Sequence, residues 1–485
     1  MKIFALFLFA AALLAVGCAS GLRAEETLSF GRFGTITVYR TSPHPGKVVL
    51  FASGDGGWNQ GVVDMARELA AMDALVMGFD VTHYLKQLRD STEGCSYPAG
   101  DFEALSQYAQ KKLALPRYAR PVLVGYSSGA TLVYATLAQA PANTFQGAIS
   151  MGFCPDLPLN KPFCKGSGLE TKTGPGGKGY VFQPAPQLGS PWISFQGEID
   201  AVCDPQAGEV FVQQTGRATM VRLPKVGHGF AVQKNWLPQF KEAFQRLYAD
   251  RQATGIKAPV PVVGSQSPTA TANAPPSASE VADLPLVEVE AKGTASEYLA
   301  VMVTGDGGWA GLDSTLGDIL AKHGIPVVGL DSLQYFWQAR QPEEMGRDLE
   351  RIIYHYTAVW QRKKVILIGY SKGADVLPFM VDRLSGETRA AVRLLALLGP
   401  GMAATFEFHL TDWLGGDDHA AQPVRPVLEK LQGLKILCLS GRDETDSLCR
   451  QLDPGLAKGV LLTGGHHFGG DYEGIAGIII KAANE

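Results

Sequence analysis

The chain is predicted to be an α/β protein built as two tandem domains, each a mostly parallel sheet sandwiched by helices. Three observations carry this: an internal repeat, buried-strand runs alternating with amphipathic stretches, and two copies of one strand–turn–helix motif. The repeat is direct. Val48-Val49-Leu50-Phe51-Ala52-Ser53-Gly54-Asp55-Gly56-Gly57-Trp58 matches Leu299 to Trp309, which ends Val303-Thr304-Gly305-Asp306-Gly307-Gly308-Trp309. Gly78-Phe79-Asp80 matches Gly329-Leu330-Asp331, and Val122 to Ala130 matches Ile366 to Ala374, in the same order and at similar spacing.

The strands come next. Lys364 to Ile368, Val392 to Leu398, Lys435 to Leu439 and Val460 to Leu462 are short aliphatic runs separated by helix-length stretches. Continuous apolar runs bounded by glycine belong to strands buried on both faces, as in a parallel sheet covered by helices. Between the repeats, residues 254–282 are rich in Pro, Ser, Thr and Ala without apolar periodicity and read as a linker. This divides the chain into 1–24, 25–253, 254–282 and 283–485.

The first of these segments is a signal. Lys2 precedes an apolar run from Ile3 to Val16 and then Gly17-Cys18-Ala19-Ser20, too short to span a bilayer. Cleavage falls after Ser20 or Ala24; alternatively, Ala15-Val16-Gly17-Cys18 resembles a lipobox, which would anchor the chain through acylated Cys18. Export to an oxidising compartment follows. It agrees with the six cysteines left once Cys18 is removed or acylated, an even number suited to disulfides. Cys438 and Cys449 are the only two in the second half and are expected to pair, whereas Cys95, Cys154, Cys164 and Cys203 allow three pairings.

Composition narrows the function. With 46% hydrophobic and 19% charged residues over 485 positions, the chain buries a large core rather than being disordered. The formal net charge of −4 excludes a strongly basic nucleic-acid surface. The 56 glycines have no collagen period and point to many tight turns.

The repeated motif is Gly-x-Ser-x-Gly, Gly125 to Gly129 and Gly369 to Gly373, each after a strand and before a helix. That context presents a serine hydroxyl on a sharp turn, and catalysis then needs an acid and a histidine later in the chain. The first half offers Ser127, Asp200 and His228. The second offers Ser371, Asp446 and His466, with Asp443 and Glu444 as second choices for the acid and His467 for the base. The Asp-x-x-Cys spacing aligns Asp200 with Asp446, and Gly-His-x-Phe aligns His228 with His466. Histidine would take the serine proton and the acid would orient the imidazole. Oxyanion donors are expected from the backbone N–H of Lys372 and from the Thr304–Gly308 turn around Asp306. No cofactor or metal is expected.

On the residues Thr304 to Trp309, Asp331 to Trp337, Gly369 to Pro378 and Gly465 to Tyr472, the chain resembles the bacterial AcvB/VirJ family of the α/β-hydrolase superfamily. The first half and linker make it similar to the longer AcvB type, with the second half corresponding to VirJ. Gln334 stands where the family pattern has arginine. The resemblance implies tandem α/β-hydrolase-like domains and hydrolysis of the aminoacyl ester of lysyl-phosphatidylglycerol. It also implies a membrane surface as partner and a link to virulence and type IV secretion components. A cationic lysyl group calls for nearby acids, of which Asp375, Asp412, Asp417, Asp418 and Asp471 are available; Asp375 lies one helical turn after Ser371. The second half, denser in these motifs, is the favoured catalytic half. The competing reading is a non-enzymatic adaptor for secretion substrates.

Overall fold

The computed structural model describes residues 26–249, 281–410 and 421–485. The signal, Cys18 and nearly all of the linker lie outside the described residues. The second core begins at Val281, a buried residue just inside the segment read as linker.

The first half forms an eight-stranded sheet from Glu26–Phe30 (β1), Gly34–Tyr39 (β2), Lys47–Ala52 (β3), Ala74–Phe79 (β4), Val122–Tyr126 (β5), Gly147–Met151 (β6), Trp192–Gly197 (β7) and Ala218–Leu223 (β8). Its order is β1-β2-β4-β3-β5-β6-β7-β8. The second half forms a seven-stranded sheet from Leu286–Val289 (β9), Tyr298–Val303 (β10), Val327–Leu330 (β11), Lys364–Tyr370 (β12), Val392–Leu398 (β13), Ile436–Gly441 (β14) and Lys458–Leu462 (β15). Its order is β9-β11-β10-β12-β13-β14-β15, which repeats the first sheet without β1. Within these two sheets all pairings are parallel except those of β1 with β2, β2 with β4, and β9 with β11. The duplication therefore extends from sequence to topology: both halves have the α/β-hydrolase-like architecture.

Each sheet is covered on both faces. In the first half, one cluster gathers Leu50, Leu123 and Trp192, the other Val49, Val124 and Phe195, successive residues pointing to opposite sides. The second half repeats this with Leu367 and Leu395 on one face and Ile366 and Leu394 on the other. Such two-sided burial explains why the strand sequences are apolar without alternation.

The two halves pack together. Tyr118 of the first half is part of a second-half core, its ring 5.4 Å from that of Trp337. Trp337 Nε1 donates to the Leu115 carbonyl at 2.8 Å, and Gln334 Nε2 donates to the Tyr118 carbonyl at 2.9 Å. Lys111 Nζ reaches both the Trp337 carbonyl and Glu407 at 2.8 Å. Gln334 thus serves the seam between the halves.

Three disulfides close loops: Cys95–Cys164, Cys154–Cys203 and Cys438–Cys449. The last is the pair expected from position alone, and the first two select one of three possible pairings. Disulfides of this number belong to an oxidising compartment.

Candidate active sites

Both serines sit at the carboxyl end of a central strand, β5 or β12, on a strained turn. Ser127 has φ 54° and ψ −121°, and Ser371 has φ 51° and ψ −121°. An L residue avoids this region, so the surrounding packing must impose it. The flanking glycines show how. A Cβ on Gly125 would come within 2.1 Å of the Gly129 carbonyl oxygen, and one on Gly373 within 1.9 Å of the Val303 oxygen. Helix and strand therefore approach more closely than any other residue permits, and the serine hydroxyl is forced out above the sheet.

The adjacent Gly-rich turns are built alike. Gly57 N–H donates to the Gly54 carbonyl at 2.9 Å, and Gly308 N–H to the Gly305 carbonyl at 3.1 Å. Trp58 and Trp309 then fold back over Gly78 and Gly329, where a Cβ would meet the indole at 1.9 Å and 2.1 Å. This is why Gly-x-Asp recurs after the turn in both halves. Asp80 and Asp331, next in line, cap the helices that follow. The turn in each half lies against its serine: an added Cβ on Gly54 would touch Ser127 Cβ at 3.1 Å, and one on Gly305 would touch Ser371 Cβ at 3.5 Å. That is where an oxyanion donor belongs, with Asp306 on the turn and Lys372 directly after the serine.

In the first half the serine, histidine and acid form one continuous chain. Ser127 Oγ lies 2.9 Å from His228 Nε2, and His228 Nδ1 lies 2.9 Å from Asp200 Oδ2. Asp200 is only 7% exposed. Its other oxygen accepts the N–H groups of Val202 at 2.8 Å and Cys203 at 3.0 Å, while Gln196 Nε2 donates to Oδ2 at 3.0 Å. These donors keep the buried carboxylate satisfied and aimed at the imidazole. The Cys154–Cys203 disulfide fastens the same loop to the segment after β6. Tyr126 adds a hydrogen bond from its hydroxyl to the His228 carbonyl at 3.1 Å.

In the second half the acid is Glu444. His466 Nδ1 is hydrogen-bonded to Glu444 Oε1, and Glu444 Oε2 accepts the Gly441 N–H at 2.6 Å. Asp446, expected from the Asp-x-x-Cys alignment, is not the partner of His466. The reason is geometric: the acid is set by its distance from the end of the strand. Asp200 is three residues after Gly197 and Glu444 three after Gly441, each closing a turn to that glycine's carbonyl, at 3.3 Å and 3.2 Å. The cysteines misalign because they serve different bridges, Cys203 to Cys154 and Cys449 to Cys438. Counting from the strand-end glycine would have found Glu444.

His467 takes a supporting place, its Nδ1 3.0 Å from the Tyr370 hydroxyl, and burial followed by the charge of His466 pushes its pKa down. Among the described residues, Ser371 Oγ makes no hydrogen bond to His466, so the fully linked set belongs to the first half and not to the half favoured from motif density. Unliganded catalytic hydrogen bonds are often longer than those made with substrate bound, so His466 and Glu444 retain the arrangement of a base and its orienting acid.

Asp375 lies close to this second site. Its Oδ1 accepts the Gly401 N–H at 2.7 Å, and burial lifts its carboxyl to about 7. Lys372 Nζ turns aside to Thr405 Oγ1 at 2.8 Å and lies 4.4 Å from the centre of the Phe408 ring, leaving its backbone at the serine turn. Asp471 caps the last helix, and Asp412, Asp417 and Asp418 lie outside the described residues. Sequence reading missed Glu103, which comes from the first half to the second half's Gly-rich turn; no local signal marks it.

A family model described as "Bacterial virulence protein (VirJ)" matches residues 46–153 and 297–485. The chain belongs to the VirJ family. The match takes in the second half through Ser371, Glu444 and His466, whereas in the first half it includes Ser127 and ends before Asp200 and His228. No curated protein matches the chain significantly. Among solved structures, it is similar to Est1E from Butyrivibrio proteoclasticus, at 13% identity and TM-score 0.32, covering 46% of this chain and 99% of that one. It is also similar to XC6422 from Xanthomonas campestris, described as a serine hydrolase without lid, at 22% identity and TM-score 0.30, covering 47% and 93%. A third similar structure is the esterase domain of a Rhodothermus marinus protein, at 14% identity and TM-score 0.31, covering 46% and 96%.

Proposed function

We propose that this VirJ-family chain is a periplasmic serine carboxylic-ester hydrolase that cleaves the aminoacyl ester of lysyl-phosphatidylglycerol. The observation that carries the reading is the continuous Ser127–His228–Asp200 chain, with a second elbow serine and a His466–Glu444 pair in the repeat.

The reaction follows from those groups. Histidine Nε2 accepts the serine proton as Oγ attacks the ester carbonyl carbon, and the carbonyl oxygen becomes an oxyanion facing the Gly-rich turn and the N–H after the serine. Collapse of the tetrahedral intermediate breaks the ester C–O bond, and the histidine proton goes to the departing lipid alkoxide. Water, deprotonated by the same histidine, then attacks the acyl-serine; the acyl C–Oγ bond breaks, the histidine returns the proton to Oγ, and the amino acid is released. The carboxylate never needs to accept the proton; it stabilises the imidazolium.

The substrate class is supported by acids near the second serine and by the composition of the first site's rim. Asp375 and Asp306 provide acidic groups for a lysyl ammonium. Ile199 and Val202, beside Asp200, and Val232, after His228, are 66%, 69% and 48% exposed, apolar surface suited to meeting a lipid layer. Purified full-length protein incubated with lysyl-phosphatidylglycerol vesicles tests the proposal: free lysine and phosphatidylglycerol should appear, and replacing both Ser127 and Ser371 by alanine should abolish them. A protein that neither releases lysine nor reacts with a fluorophosphonate at either serine would instead be the secretion adaptor.

A further inference from the structure

The seam between the halves reaches the second half's catalytic turn. The Pro98–Lys112 helix buries Phe102, Leu105 and Ala109 in the first half's core. Glu103, next to Phe102, leaves that core and comes to the other half: its Oε1 lies 3.4 Å from where a Cβ on Gly307 would stand. Two ion pairs bridge this seam, Lys111 with Glu407 at 2.8 Å and Arg120 with Asp331 at 3.5 Å. Among the described residues, Glu103 has neither an ion pair nor a hydrogen bond. The charge that acts on it is another acid, Asp306 of the oxyanion turn, and burial together with Glu103 in turn raises the phenols of Tyr97 and Tyr118.

We propose that Glu103 is a specificity-determining residue of the second half's site, supplied across the domain seam to receive the ammonium group of a cationic acyl chain whose ester carbonyl sits at Ser371. The inference rests on the esterase reading above and adds to it that the second site is incomplete without the first half. A half-buried carboxyl beside a second acid, with no cation, is unfavourably placed; a substrate ammonium provides the missing partner. Burial and Asp306 together push the Glu103 carboxyl up to about 8 in the free protein, and a cation at that spot reverses the effect. Among the described residues, replacing Glu103 would cost neither a hydrogen bond nor an ion pair, so no polar contact within the fold accounts for it.

Full-length Ser127→Ala protein isolates the second site. Its hydrolysis of the 4-nitrophenyl esters of 6-aminohexanoate and hexanoate, which differ in the terminal ammonium, is measured with and without Glu103→Gln. The expected result is a rise in KM of about tenfold for the cationic ester, with kcat within twofold and the hexanoyl ester little affected. Glu103→Asp should restore part of the preference. Equal losses on both esters, or no loss on either, overturn the inference. Circular-dichroism melting of each variant identifies unfolding, in which case Glu103→Asp alone decides. A Ser127→Ala protein inactive on both esters overturns the esterase reading of the second site and the inference with it.

Discussion

His466 Nδ1 is hydrogen-bonded to Glu444, two residues before the aspartate that the cysteine spacing pairs with Asp200. The pairing makes Glu444 the orienting acid of the second site. In Ser127→Ala protein, Glu444→Gln should lower kcat by about 10⁴-fold, the loss expected when an imidazole loses its orienting carboxylate. Asp446→Asn should change it by less than threefold. Reversal of these two effects would restore Asp446.

The two serines should differ in reactivity. Ser127 is already within 2.9 Å of its base, whereas Ser371 makes no such bond to His466 among the described residues. A fluorophosphonate probe should therefore modify Ser127 at least tenfold faster. Time-resolved peptide mass spectrometry of the labelled protein measures both rates, and equal rates would contradict the geometry.

The Cys154–Cys203 bridge fixes the loop whose N–H groups hold Asp200. Replacing both cysteines by serine should lower stability by about 2–4 kcal/mol. It should also lower the Ser127-dependent kcat at temperatures where the fold persists. The check is steady-state kinetics of Ser371→Ala protein with and without the bridge. A loss of melting temperature alone, with kcat retained, would limit the bridge to a structural role.

Asp375 gives a pH signature. Its carboxyl is held up to about 7 by burial, so the folded state binds its proton more tightly than the unfolded chain does. Its contribution to stability is therefore present at low pH and is lost as pH rises from about 4 through 7. Asp375→Asn keeps the acceptor for the Gly401 N–H and removes the ionisation. The variant should be more stable than the parent at pH 8.5, by on the order of 2 kcal/mol, and indistinguishable near pH 4.5. Melting curves at the two pH values decide it, and a constant difference would refute the cause.

The legibility of this chain varies with the range of the interaction. Strands β12 and β13 were visible because two-sided burial writes a continuous apolar run, and the observed Lys364–Tyr370 and Val392–Leu398 lie at or within two residues of the expected limits. The elbows were visible because steric crowding admits only glycine at Gly125, Gly129, Gly369 and Gly373. The acid of the second site was not, because three carboxylates, Asp443, Glu444 and Asp446, share one loop and composition does not rank them. Only the turn back to the Gly441 carbonyl selects the residue that faces the histidine.

By itself, the sequence determined the duplication, the α/β layers, both nucleophile turns and the Cys438–Cys449 pair, since each depends on neighbours in the chain or on a repeat within it. The tertiary structure decided which acid meets His466, how the other four cysteines pair, and which half holds a continuous proton path. It also placed Glu103 of one half against Gly307 of the other. These outcomes depend on distances between segments far apart in sequence, where a shift of a few ångströms makes or breaks a hydrogen bond.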